Sequence, residues 1–150
     1  MFDLTEMTDA ICSRVSAMKG TEGYHILWTK EKPCFVEADR SRIEQVLYNL
    51  LGNALTYTGA DQTVRVAQEE RGGRVRISIS DSGSGINEAE LPFIWDRYFR
   101  SGESHKRAVI GSGLGLNICR GILESHQAPY GVESEKGKGS TFWFELPKNE

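Results

Sequence analysis

The sequence predicts an α+β domain in two layers, with one mixed, mostly antiparallel sheet carrying its helices on one face. Segments with apolar residues every three or four positions alternate with short segments rich in β-branched and aromatic residues. The strand candidates come in pairs with short links, which favour hairpins over the long crossovers of a fully parallel sheet. The 150 residues are 39% hydrophobic and 26% charged, enough for one domain with a sizeable core. That composition excludes collagen-like, disordered and disulfide-scaffold classes.

The first element is a helix over 3–19, in which Leu4, Met7, Ile11, Val15 and Met18 recur at helical spacing and Gly20 supplies a stop. Residues 24–29 (YHILWT) and 34–37 (CFVE) are short strand candidates punctuated by Pro33. Asp39 or Ser41 caps the next helix, whose stripe of Ile43, Val46, Leu47, Leu50, Leu51, Ala54 and Leu55 is the strongest periodic signal in the chain. Gly59 ends it. Residues 63–68 and 74–80 alternate like paired strands joined at Arg71-Gly72-Gly73. A glycine-rich stretch follows at 81–86, then a short helical pattern over 88–99 with Phe93, Trp95, Tyr98 and Phe99. Residues 100–110 are polar, basic and aperiodic, and are read as a loop. Gly111-Ser112-Gly113 opens a helix to about residue 125, with Leu116, Ile118, Cys119, Ile122 and Leu123 inward. Strands over 130–134 and 140–146 flank a last turn.

The net charge of −3 leaves no basic footprint for nucleic acid. An anionic substrate would instead be held by local devices: a helix N-terminus, a metal or a few arginines. Cys12, Cys34 and Cys119 form no CxxC pair, and an odd count without metal spacing suggests free thiols in a reducing compartment. Residues 1–6 are acidic with no apolar run behind them, unlike a signal peptide, and no apolar stretch is long enough to span a bilayer. A cytoplasmic location is expected, and any membrane segment of a larger parent would lie outside this chain.

Several polar residues do not fit a core. Asn49 and Asn53 project from one helix face one turn apart. They are either solvent-facing edge residues or a pair of amide oxygens for one hard cation. Asp81 ends a strand before Ser82-Gly83-Ser84-Gly85-Ile86. This is either a simple turn or a carboxylate placed to accept from an exocyclic amine, with glycines that let another molecule approach the backbone. Gly111, Gly113 and Gly115 form either a hinge or a phosphate-binding helix start. Both candidate dinucleotide fingerprints fail at their sixth position, which is Leu116 counted from Gly111 and Glu88 counted from Gly83, and no Walker A pattern is present. Arg97, Arg100, Lys106 and Arg107 are solvated loop charges by default, or partners of a phosphate. His25, His105 and His126 show no nucleophile–base context, and structural roles are expected for His25 and His126.

Together these segments resemble the catalytic, ATP-binding domain of bacterial sensor histidine kinases, within the GHKL superfamily. Residues 45–58 (QVLYNLLGNALTYT) resemble its N box and 81–86 (DSGSGI) its first glycine box. Residues 94–100 (IWDRYFR) resemble its aromatic box, 111–116 (GSGLGL) its second glycine box and 137–142 (GKGSTF) its last strand pair. The resemblance implies a Bergerat-type two-layer α/β sandwich in a single domain over 1–150, with an ATP lid at about 100–110. It implies ATP and Mg²⁺ as cofactors: Asn53 as metal ligand with Asn49 assisting, Tyr57 packed on adenine and Asp81 accepting from its amine. Gly83, Gly85 and Ile86 would surround the base, with Thr141 or Ser140 reaching it through water. Gly111, Gly113, Leu114, Gly115 and Leu116 would open the helix that meets phosphate, and Arg97 or Arg100 would touch the terminal phosphate.

ATPases that resemble this superfamily place Glu one turn before the metal-binding Asn, where this chain has Asn49. Asparagine cannot serve as a general base, so transfer to a protein acceptor fits better than hydrolysis. Thr56 stands where the family commonly has Lys or Arg, Trp95 replaces a Phe, and Gln127 replaces a Gly that commonly follows His126. No His has the context of the family's phosphoacceptor. The resemblance therefore implies a domain that acts on a histidine of a separate dimerisation domain, does not phosphorylate itself and serves a response regulator downstream. The isolated domain is expected to be monomeric. Two alternatives stand beside this reading: a degenerate nucleotide-binding module without transfer, and an anti-sigma-type serine kinase.

Overall fold

The computed structural model describes residues 1–18, 20–96 and 115–149. Its elements run β1 (Phe2–Asp3), α1 (Leu4–Ser16), β2 (His25–Trp28), β3 (Phe35–Val36), α2 (Arg40–Tyr57), β4 (Thr63–Arg71), β5 (Arg74–Asp81), a short 3-10 helix (Leu91–Phe93), α3 (Gly115–Ser125), β6 (Tyr130–Glu135) and β7 (Gly139–Pro147). Five strands form one sheet in the order β2-β4-β5-β7-β6; β2 runs parallel to β4 and the other neighbours are antiparallel. The mixed, mostly antiparallel sheet expected from the sequence is therefore present.

Strand alternation builds the two layers. Val64 and Val66 of β4, Val75, Ile77 and Ile79 of β5, and Phe142, Phe144 and Leu146 of β7 are buried in one cluster with the apolar stripes of α1, α2 and α3. The intervening residues form the opposite face, where the Arg76 guanidinium lies 3.7 Å above the Trp143 ring and binds the Glu145 carboxylate at 2.7 Å. The β4–β5 hairpin turns at Gly72 and Gly73, both with positive φ, as a two-residue turn requires.

The helix caps follow the sequence. Asp3 caps α1 by accepting from Thr5 and Glu6, and also accepts from the Cys34 N–H, tying the helix start to the strand beside it. Asp39 caps α2 through the Arg42 N–H, and Ser41 donates to the same carboxylate.

Three features differ from expectation. The two strands either side of Pro33 belong to different sheets, because β3 pairs with β1 and then bridges to Lys148. The helix expected over 88–99 is a series of three-residue closures, Leu91 to Glu88, Phe93 to Glu90 and Asp96 to Phe93, with only Leu91–Phe93 as regular 3-10 helix. Pro92 has no N–H for the next α-helical bond; residues 97–99 lie outside the described residues. The strand β1 was not legible at all, since a two-residue strand has no period. Among the described residues no helix is long and apolar enough to cross a membrane.

Candidate functional site

One edge of α2 organises the site. Asn49, Asn53 and Tyr57 follow one another at four-residue spacing and are all half-buried, beside the fully buried stripe of Val46, Leu50 and Ala54. The row from Asn49 to Tyr57 spans about 12 Å at the usual helical rise. At its Tyr57 end lies the loop after β5: a Cβ on Gly83 would stand 1.9 Å from the Tyr57 carbonyl oxygen. At its Asn49 end lies the start of α3: a Cβ on Gly115 would stand 3.1 Å from Asn49 Cβ and 3.2 Å from its Cγ. The sequence-derived residues Asn49, Asn53, Tyr57, Asp81, Gly83 and Gly115 are thus strung along one edge. Arg97, Arg100, Gly111, Gly113, Leu114 and the lid at 100–110 lie outside the described residues.

Asp81 ends β5 in the register of Ile77 and Ile79, on the helix-covered side of the sheet. Its Oδ1 accepts the Gly83 N–H at 2.9 Å. The close backbone approach expected of Gly83 and Gly85 is realised, but by the chain's own backbone. Gly83 admits the end of α2, and Gly85, at φ +76°, admits the Glu135 carbonyl 2.2 Å from where a Cβ would sit. These glycines let the loop close on its supports, and any room for a ligand follows from that closure. Ile86, half-buried against the core, is held by its N–H donating to Ser134 Oγ at 2.7 Å.

Thr141 requires a correction. It pairs with Ser80, one residue out of register with Asp81, and its hydroxyl lies 2.8 Å from Ser80 Oγ on the opposite face of the sheet. Ser140 pairs with Asp81 and faces the same side, so of the two hydroxyls named from the sequence it is the one beside the strand end. A shift of one residue along a strand exchanges faces.

Sequence reasoning missed the polar ties behind this loop. Ser134 Oγ lies 2.8 Å from Ser140 Oγ and 3.1 Å from the Gly139 carbonyl, and Ser82 meets Thr58 and Asp61. Hydrogen bonding from Ser82 and from the Thr63 N–H holds the Asp61 carboxyl below its usual range. No local pattern announces these serines; the register of β6 on β7 and the end of α2 bring them in.

Thr56, which stands where a cation was expected, is buried, and its hydroxyl donates back to the Gly52 carbonyl at 2.8 Å. Trp95 takes the place of the expected Phe as a packing residue. It meets Tyr130 and Phe142 edge-on at 5.0 and 5.4 Å. Half-buried Leu116 packs on the core from the first turn of α3. The three cysteines are free and buried. Burial pushes the Cys12 and Cys119 thiols up to about 12.

The residues present suit a phosphate-borne Mg²⁺ better than a protein-caged ion. Among the described residues no three His, Cys, Asp or Glu gather as a metal site. At the Asn49 end the edge offers neutral amide oxygens from Asn49 and Asn53, which suits an ion that keeps its waters and takes further ligands from substrate phosphates.

Comparison with known proteins accords with this arrangement. Residues 38–150 match the family model described as histidine kinase-, DNA gyrase B-, and HSP90-like ATPase. The sensor protein SrrB of Staphylococcus aureus is 38% identical over 112 residues, which are 75% of this chain and 19% of SrrB. The chain thus spans about a fifth of that relative's length. Among solved structures, the catalytic domain of histidine kinase ThkA superposes with a TM-score of 0.79 at 32% identity, covering 98% of this chain and 93% of that one. ThkA in complex with response regulator protein TrrA also matches, at a TM-score of 0.76 and 31% identity over 99% of this chain and 41% of that one. Full-length ShkA in complex with AMPPNP gives 0.82 at 29% identity, covering 98% of this chain and 30% of that one. The chain belongs to the family of histidine kinase-, DNA gyrase B- and HSP90-like ATPases, as a catalytic domain of the histidine kinase type.

Proposed function

We propose that this domain binds ATP with Mg²⁺ along the α2 edge and gives the γ-phosphate to a histidine on a separate dimerisation domain, from which a response regulator receives it. The observation that carries the proposal is the edge itself. It runs from a carboxylate and an aromatic residue at one end, Asp81 and Tyr57, to two amides beside a helix start at the other, Asn53 and Asn49 beside Gly115. Base and phosphates of one nucleotide have matching partners in that order. ShkA was solved with AMPPNP, an ATP analogue, and ThkA with a response regulator, which supports both nucleotide and partner for a related domain.

In this reading Asp81 accepts from the adenine amine, Tyr57 and Ile86 supply apolar surface, Ser140 stands near the base, and Leu116 belongs to the helix start that meets phosphate. Asn53, assisted by Asn49, holds Mg²⁺, which when bound neutralises phosphate charge. Gly111, Gly113, Leu114 and Gly115 present the helix start to phosphate, and Arg97 or Arg100 meets the terminal phosphate. Transfer rather than hydrolysis follows from Asn49, since an amide activates no water. In this reading the domain does not phosphorylate itself, since none of His25, His105 and His126 has the sequence context of the family's phosphoacceptor. It works as a monomer in the cytoplasm, where ATP and response regulators are found.

The second reading, a nucleotide-binding module without transfer, draws on Thr56, whose buried hydroxyl cannot replace a cation at phosphate. Mixing the domain with a dimerisation–histidine fragment, Mg²⁺ and γ-labelled ATP separates the two. Acid-labile label on the fragment's histidine is the expected result. Nucleotide binding without label on any of several related fragments would establish the second reading instead.

A further inference from the structure

The side chain of Asn49 is clasped by α3. Gly115 and Cys119 lie one turn apart on that helix and face Val46 and Asn49 of α2. Gly115 leaves the space that Asn49 fills: of the two amide atoms, Nδ2 is the one within 3.6 Å of where a Gly115 Cβ would be. Cys119 is fully buried, and its thiol donates to the Val46 carbonyl at 3.8 Å. The Asn49 Nδ2 atom is itself buried with no hydrogen-bond partner among the described residues. A buried donor without a partner normally costs about 1–3 kcal/mol, so an edge residue would turn it out to water if it were free to do so.

We propose that Gly115 and Cys119 are positioning residues that hold the Asn49 amide with its nitrogen against α3 and its oxygen turned toward the nucleotide edge. The inference rests on the reading of Asn49 and Asn53 as Mg²⁺ partners. It gives Gly115 a task other than phosphate binding: the absence of a Cβ there sets the Asn49 rotamer.

The test is ADP affinity by titration calorimetry with and without Mg²⁺. Wild type should gain affinity from Mg²⁺ and Asn49→Ala should lose most of that gain. Gly115→Ala, which drives a methyl into Asn49, should lose the gain about as fully, read as the ratio of affinities with and without Mg²⁺ in the same variant. Cys119→Ala, which leaves a void beside the amide, should lose part of it. Cys119→Ser, which offers Nδ2 an oxygen acceptor, should retain it. A purely structural role would lower affinity equally with and without Mg²⁺, and that result would overturn the proposal. So would an intact gain in both Gly115→Ala and Cys119→Ala when Asn49→Ala has lost it. No Mg²⁺ gain in wild type would remove the metal reading itself; a gain that survives in Asn49→Ala would remove Asn49 from it, and the positioning role with it.

Discussion

Asp81 and Gln127 show what single residues decide here. Replacing the Asp81 carboxylate by an amide keeps an oxygen for the Gly83 N–H and removes the charge offered to an amine. Asp81→Asn is the variant that tests this charge. It should weaken ATP binding about tenfold or more, the share of a charge-assisted hydrogen bond; an unchanged thermal shift with ATP would remove the adenine assignment. Gln127 follows α3 at φ 54°, while the Ala128 N–H reaches back to the Leu123 carbonyl. That is a helix end closed by a left-handed residue, where glycine is the unstrained choice. Gln127→Gly should therefore stabilise the domain by about 0.5–1 kcal/mol, read as a higher denaturant midpoint. The asparagine and aspartate positions were legible because helical spacing and strand ends are local patterns. The face of Thr141 was not, because nothing in Gly139-Ser140-Thr141 says which residue stands opposite Asp81. The seating of Asn49 was also hidden, since Gly115 and Cys119 meet it only once α3 has docked.

Among the elements, α2 and α3 are joined at two places. Near the middle, Gly115 and Cys119 grip Asn49. At the far end, the His126 ring bridges them, with Nδ1–H donating to the Ile122 carbonyl at 2.8 Å and Nε2 accepting the Asp39 N–H at 3.1 Å. Only the neutral ring with its proton on Nδ1 satisfies both bonds. His126→Phe keeps the ring volume and loses both, and should destabilise the domain by about 1–2 kcal/mol in chemical denaturation. An unchanged midpoint would show that the bridge is passive. Long periodic elements such as α2, and the β4–β5 hairpin with its paired glycines, could be read directly from the sequence. Short elements were harder: β1 left no pattern, β3 was read within 34–37 but not its pairing with β1, and the chain from Asn87 to Asp96 takes three-residue closures because Pro92 withholds a donor. In each case a distant partner or a missing N–H outweighed local propensity.

At the scale of the whole molecule, buried thiols make stability fall on the alkaline side. Cys12 and Cys119 rise from an ordinary 9.0 to about 12 on folding, so the folded state keeps protons that the unfolded chain releases. Their contribution is complete below pH 9 and is lost as pH rises from about 9 to 12. The melting temperature should drop across that window, and the drop should be shallower in a Cys12→Ala, Cys119→Ala double variant compared with its own value at pH 8. A parallel drop in both proteins would assign the alkaline loss to other groups. The small sheet at the edge of the fold has a different consequence. Its central strand β3 takes Phe2 and Asp3 on one side and meets Lys148 and Asn149 on the other. The first and last described residues are thus near neighbours in space, and the Gly72–Gly73 turn lies at the sheet's exposed end. A circular permutant that joins Asn149 to Phe2 through a short flexible linker and opens between Gly72 and Gly73 should still fold and keep its nucleotide-induced thermal shift.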